Sequence, residues 1–352
     1  MKNMLEKFNL PEFPYEAGIE ETKAKMLDIL LNEEYGVLLN REKNLTFEVV
    51  KQDANFAAGK AVYKEVNITA EFENGSFTFP VRAVIPNGKT DIPFFVHINF
   101  RPCVPDIYQP TEEIIDGGFA VLSFCYNEVT TDDGDFSNGV SPYILGGNVQ
   151  KNANDCGKIA MWAWAASRVL DYAQTESALD MKNAAVTGHS RLGKTALLCG
   201  ALDERFSLVI SNDSGCGGAA ISREKQGERI DDICRVFPYW FCRNFEKYRN
   251  NEEKLSFDQH YLLSCIAPRK LYVASAKEDL WAGPDNEFLC CVKADEYYRH
   301  FGIEGFDCPC EIPDAECILH GKNIGYHKRF GLHYFSRYDW QRFMEFASKR
   351  FV

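Results

Sequence analysis

The stretch Ala184-Ala185-Val186-Thr187-Gly188-His189-Ser190-Arg191-Leu192-Gly193-Lys194 decides the fold. Its first four residues are small, apolar or β-branched and predict a strand. From Gly193 to Leu202 the apolar spacing is helical. Ser190 falls in the turn between them. A sharp strand-to-helix turn pushes its side chain out at the carboxyl end of a sheet, where a serine can act as a nucleophile. Such a turn needs small neighbours, and Gly188 supplies one. The second glycine, expected two residues after the serine, is absent: Leu192 stands there and Gly193 follows. The pattern G-x-S-x-x-G also fits a glycine-flanked serine that merely caps a helix.

Working outward, Phe94 to Phe100, Gly118 to Phe124, Leu208 to Ser211 and Leu271 to Ala274 are nearly continuous apolar runs. Strands buried on both faces look like this. Helical stretches lie between them at Lys158 to Tyr172, Gly193 to Leu202 and Asn286 to Arg299. The alternation predicts a doubly wound, mostly parallel sheet flanked by helices, a three-layer sandwich. Upstream, Leu45-Val50, Ala61-Phe72 and Ser76-Arg82 alternate, and Asn74-Gly75 marks a hairpin. They predict an N-terminal antiparallel extension. Residues 1–45, with a helical pattern from Glu20 to Glu34, form a connector segment packed on a single catalytic domain spanning 46–352. The loop from Tyr126 to Asp155 is rich in Gly, Asp and Asn and is placed to shape a pocket. Ser336 with Asp339 three residues on opens a final helix.

A serine nucleophile needs a base and an acid. On the α/β-hydrolase fold they follow in the order serine, acid, histidine. Three histidines come late. His327 lies inside a strand pattern (Asn323 to Lys328), and His320 precedes Gly321 in a loop. His333 falls just past the strand, where a loop can carry its ring over the serine, and is favoured. Two aspartates compete as the acid: Asp279, after the strand Lys270 to Ser275, and Asp213, after Leu208 to Ser211. Either could orient the ring and stabilise its protonated form. Asp279 is preferred, with Asp213 auxiliary.

Composition narrows the alternatives. Of 352 residues, 45% are apolar and 26% charged, enough for a sizeable core. The net charge is −12 and there is no Lys/Arg-rich run, so nucleic acid and anionic membranes are not expected partners. Met1 to Gly18 lacks the apolar core of a signal peptide, which predicts a cytoplasmic protein unless a leader has been removed. Thirteen cysteines, an odd number, suit buried thiols in a reducing compartment. Cys308-Pro309-Cys310 and Cys290-Cys291 do not have zinc-site spacing, and no metal or organic cofactor is expected.

Three segments carry a resemblance. They are Val186 to Lys194, Ser211-Asn212-Asp213-Ser214-Gly215-Cys216-Gly217-Gly218, and Glu278-Asp279-Leu280-Trp281-Ala282-Gly283-Pro284. Together with Asp258-Gln259-His260, Ile266-Ala267-Pro268-Arg269 and Ser336 to Trp340, they resemble the glucuronoyl esterases. These are carbohydrate esterases, and the bacterial branch is the more similar. The likeness runs from about Phe94 to the C-terminus. It implies hydrolysis of esters of 4-O-methyl-glucuronic acid, carried on xylan, by a Ser-His-Asp triad and an acyl-enzyme. It accounts for the odd elbow, since the family uses G-x-S-R-x-G-K. By that match Arg191 contributes to the oxyanion hole, while Lys194, Glu228 and Trp281 contact the sugar. A second oxyanion N–H is expected from the Asn99 to Arg101 loop. The chain departs from the family in having Asp rather than Glu at 213, and His189 where fungal members have a disulfide-bonded cysteine. An acetyl-xylan or other sugar-ester esterase, and a catalytically silent carbohydrate-binding relative, are the alternatives.

Overall fold

The computed structural model describes residues 2–224 and 226–349. Among them, ten strands form one sheet. They are β1 (Asn44–Asn55), β2 (Ala61–Phe72), β3 (Gly75–Pro86), β4 (Ile92–Asn99), β5 (Ala120–Cys125), β6 (Leu179–His189), β7 (Leu208–Asn212), β8 (Lys270–Ala276), β9 (Cys317–Leu319) and β10 (Ile324–Arg329). Their order across the sheet is β1-β2-β3-β5-β4-β6-β7-β8-β10-β9. From β5 to β10 neighbours pair parallel, while β1, β2 and β3 are antiparallel and β3 joins β5 antiparallel. This is the α/β-hydrolase arrangement, with the antiparallel extension the hairpin at Asn74-Gly75 predicts.

The helices that matter for the site are α1 (Ile19–Leu30), α2 (Thr111–Asp116), α3 (Lys158–Ala173), α4 (Arg191–Leu202), α5 (Gln259–Ser264), α6 (Pro284–His300) and α7 (Arg337–Ala347). Alternate residues of a strand face opposite sides. In β4, Phe94, Val96 and Ile98 join one apolar cluster with residues of α1, α3, α4, α5 and α6. Phe95 joins the other, with Ile114 and Ile115 of α2 and Trp340, Phe343 and Phe346 of α7. Covering both faces is what makes the strands continuously apolar.

Two expectations need adjusting. The helix expected over Glu20 to Glu34 keeps α-geometry only to Leu30, then continues as a π-turn over Leu31–Tyr35. The short β9, paired antiparallel to β10, has no signal in the sequence because three residues cannot show an alternation. The N-terminal residues are tied to α5 by hydrogen bonds: Tyr261 Oη donates to the Glu12 carbonyl, and His260 Nε2 lies 3.0 Å from that of Pro11. No helix among the described residues is long and apolar enough to cross a membrane.

Candidate active site

Parallel strands deliver their loops to one edge of the sheet, and the candidate residues gather there. Ser190 joins β6 to α4 with φ 60° and ψ −129°, a conformation a side-chain-bearing residue rarely adopts. Its N–H donates to the Asn212 carbonyl at 2.9 Å, which pins the elbow to β7. Any Cβ at Gly188 would lie 2.2 Å from the Leu192 carbonyl oxygen, so the turn admits only glycine there. The displaced second glycine is also explained. Gly193 is the residue that faces β7, where a Cβ would meet Ser214, Ser211 and the Asn212 carbonyl at 3.0–3.2 Å. Leu192 instead turns inward and is fully buried.

The ring of His333 lies over this elbow, with its centroid 4.4 Å from that of His189. Its Nδ1 is 2.6 Å from Asp279 Oδ2. The loop carrying Asp279 follows β8 and the loop carrying His333 follows β10; Glu278 N–H donates to Gly331 O, zipping the two together. Burial works against charge on Asp279, but the hydrogen bond and charge of His333 outweigh it and hold this carboxyl below its ordinary range. Asp213 differs. Its Oδ1 accepts from the Ala276 N–H at 2.7 Å and its Oδ2 faces the Arg329 guanidinium at 3.3 Å. Burial, then the carboxylates of Glu287 and Asp339, push it well above the usual value, against the pull of Arg329. Asp213, Asp279 and His333 each bring one potential metal-ligand atom within 4.8 Å of the others. His333 Nδ1 and Asp279 meet each other, and the Asp213 oxygens meet the Ala276 N–H and the Arg329 guanidinium, so each of the three already has a protein partner.

His327 and His320 lie elsewhere. Both flank the buried Tyr272 hydroxyl, at 3.0 and 2.5 Å, and His327 Nε2 meets Asp339 at 2.8 Å. His189, beside the serine, bonds Asn212 Oδ1 through Nδ1 at 2.6 Å. Burial and then His333 drive its pKa down to about 3, so it stays neutral.

Arg191 opens α4. Its guanidinium pairs with Asp132 and stacks near Trp240, Phe237 and Phe100, 4.8–5.7 Å from their centroids. Asp132 is itself held by the Trp240 indole N–H at 2.7 Å and by Tyr126 Oη at 3.1 Å. The Arg191 Nε is buried with no hydrogen-bond partner. The second donor expected from the Asn99 to Arg101 loop needs correcting at one position: Phe100 N–H is spent on Asn99 Oδ1 at 2.8 Å.

Lys194, one turn further along α4, is buried. Its ammonium donates to the carbonyls of Ser214 (2.8 Å) and Cys216 (2.5 Å) and to Glu228 at 3.0 Å. All three donors are in use, and one of them fixes Glu228. The Glu228 N–H in turn donates to the Trp281 carbonyl, and Trp281 is 54% exposed. Asp132, Trp240 and Arg329 escape sequence reasoning. Each is one polar or aromatic residue in a loop or at a strand end, distinguished only by what the fold brings to it.

The fungal glucuronyl esterase family model matches residues 66–302. "Carbohydrate esterase MZ0003", from an unknown prokaryotic organism, is 42% identical over 237 residues, 67% of this chain and 54% of that protein. A 4-O-methyl-glucuronoyl methylesterase of Podospora anserina is 29% identical over 279 residues, 72% of this chain and 56% of that protein. The chain thus spans a little over half the length of these curated relatives. Among solved structures, a glucuronoyl esterase from Solibacter usitatus superposes with a TM-score of 0.85 at 31% identity, covering 93% of this chain and 91% of that one. A promiscuous CE15 esterase from a marine bacterial metagenome gives 0.84 at 32%, with the same coverage. On the extent of these matches, the chain belongs to the glucuronoyl esterase family.

Proposed function

We propose that this protein is a serine carboxylic-ester hydrolase acting on esters of (4-O-methyl-)glucuronic acid. The observation that carries the reading is the His333–Asp279 pair, 2.6 Å apart, over the strained Ser190 elbow. His333, its Nδ1–H directed at Asp279, takes the Ser190 proton on Nε2 as Oγ attacks the ester carbonyl. The oxyanion is met by the Arg191 N–H, first of its helix and free of an intrahelical partner, and by the Arg191 guanidinium. His333 then protonates the departing alcohol. Water, activated by the same imidazole, opens the acyl-enzyme and releases the acid.

A sugar ester fits the site. Glu228, held by Lys194, offers acceptors for hydroxyls, and the exposed Trp281 face can pack on a pyranose. Relatives named as glucuronoyl esterases support the same substrate class. A small-molecule or oligosaccharide glucuronate ester is the expected partner. Turnover of methyl 4-O-methyl-glucuronate should exceed that of an acetylated xylo-oligosaccharide and vanish in Ser190→Ala. Preference for the acetyl ester would overturn the substrate, and full activity of Ser190→Ala would overturn the mechanism.

A further inference from the structure

We propose that Arg329 is a positioning residue for His333, and that Asp213 serves the reaction through Arg329 rather than by touching the imidazole. The proposal rests on the reading of His333 as the base.

Arg329 is the last residue of β10, four before His333, and it is buried. All five of its N–H groups are engaged. Nε donates to both carboxylate oxygens of Asp339, at 3.0 and 3.1 Å. Nη1 donates to the carbonyls of Phe330 and Leu332, at 3.1 and 3.2 Å. Nη2 donates to the Tyr334 carbonyl and, at 3.3 Å, to Asp213 Oδ2. The guanidinium therefore grips the carbonyls of both residues that flank His333, Leu332 and Tyr334.

Besides the guanidinium, the loop is held by the Glu278 N–H on the Gly331 carbonyl and by the Tyr334 ring against Tyr108. Phe330 and Leu332 are 56% and 67% exposed, so their side chains contribute little packing. Gly331 takes φ +103°, and a Cβ there would sit 3.2 Å from Arg329 Nη1, so the backbone wraps closely around the guanidinium. Planarity and a fixed fork let arginine serve several acceptors at once; a lysine ammonium cannot reach the same set. The clamp is anchored at both ends. Asp339 is fixed by His327 and by the Ser336 cap of α7, and Asp213 by the Ala276 N–H. Asp213 thus ties the clamp to β8, the strand that leads to Asp279. The imidazole and its acid are held by the same frame.

The test compares wild type with Arg329→Lys, which keeps the charge and loses the fork, with and without His333→Ala, using a methyl glucuronate ester. Arg329→Lys should keep KM within about twofold and lower kcat by about a hundredfold, the usual scale for a base displaced by about 1 Å. In the His333→Ala background the same substitution should change the residual rate little, because the clamp acts only through that ring. Wild-type kcat in Arg329→Lys, or an equal loss in both backgrounds, overturns the proposal. A fully active His333→Ala overturns the underlying reading instead, whatever Arg329 does. If Arg329→Lys does not fold, Asp213→Asn decides. Its amide sets an N–H against either Ala276 N–H or the guanidinium and should lower kcat on the order of tenfold, with KM held and no further loss in His333→Ala. Unchanged kcat in Asp213→Asn overturns the proposal.

Discussion

Asp279 Oδ2 stands 2.6 Å from His333 Nδ1, whereas Asp213 directs its two oxygens to the Ala276 N–H and the Arg329 guanidinium. One acid orients the ring and the other orients the frame around it. The two positions should separate kinetically. Asp279→Asn favours the wrong tautomer of His333 and should lower kcat on the order of 10³- to 10⁴-fold. Asp213→Asn should cost on the order of tenfold. Pre-steady-state acylation rates of the two variants check the ranking, and the reverse order would move the triad acid to Asp213.

The Ser190 backbone makes a second prediction, on stability. Holding a side-chain-bearing residue at φ 60°, ψ −129° costs roughly 1–3 kcal/mol, a strain glycine does not feel. Ser190→Gly should therefore be inactive but more stable than both wild type and Ser190→Ala. Urea midpoints at constant m-value resolve the difference. Equal stability of the glycine and alanine variants would show that the elbow stores no strain.

Much of this was legible in the sequence, and for a physical reason. The strands flanking the elbow are covered on both faces, so their apolar runs stand out, and the order serine, acid, histidine follows from the strand order. The roles of Lys194 and Asp213 were not legible. Lys194 looks like a sugar-binding lysine on an elbow helix, yet its donors go to Ser214, Cys216 and Glu228, set by how the loop after β7 folds back. Asp213 follows a strand just as Asp279 does, and only the side chain of Arg329, 116 residues away in sequence, assigns it a different partner. Linear patterns report periodicity and turn chemistry; they carry no information on which of two similar carboxylates meets a guanidinium.

His260 supplies a pH prediction. Its ring is buried between Phe13 and Tyr261, and burial lowers its pKa to about 3 against an ordinary value near 6.5. The hydrogen bond to the Pro11 carbonyl only partly offsets this. Between about pH 6.5 and 3 the unfolded chain binds a proton that the folded one refuses. This residue's contribution therefore falls as pH falls, by up to about 1.4 kcal/mol per unit. His260→Phe removes that proton and should flatten the dependence of unfolding free energy on pH between 6.5 and 4.5 relative to wild type. Parallel slopes for the two proteins, from urea titrations at several pH values, would exclude a buried neutral His260.

The last prediction concerns the cage around Arg191. Asp132 pairs with its guanidinium and is itself held by Trp240 and Tyr126, while the loop bearing Asp132 is fixed from beneath by Lys158. That ammonium donates to Thr130 Oγ1 and to the carbonyls of Thr131 and Asp135 at 2.7–3.0 Å. If the guanidinium acts on the oxyanion, its orientation matters only when negative charge has developed, so disturbing it should lower kcat and leave KM nearly unchanged. Asp132→Asn keeps the shape of the loop and removes the charge that anchors Arg191; kcat should fall about tenfold. Arg191→Ala should fall further, by about 10²–10³, the usual cost of one oxyanion donor. With Arg191 already absent, Asp132→Asn should add little. Steady-state kinetics of the two single variants and the double variant check this. A KM-dominated loss in either single variant would instead assign the guanidinium to ground-state binding of the sugar acid.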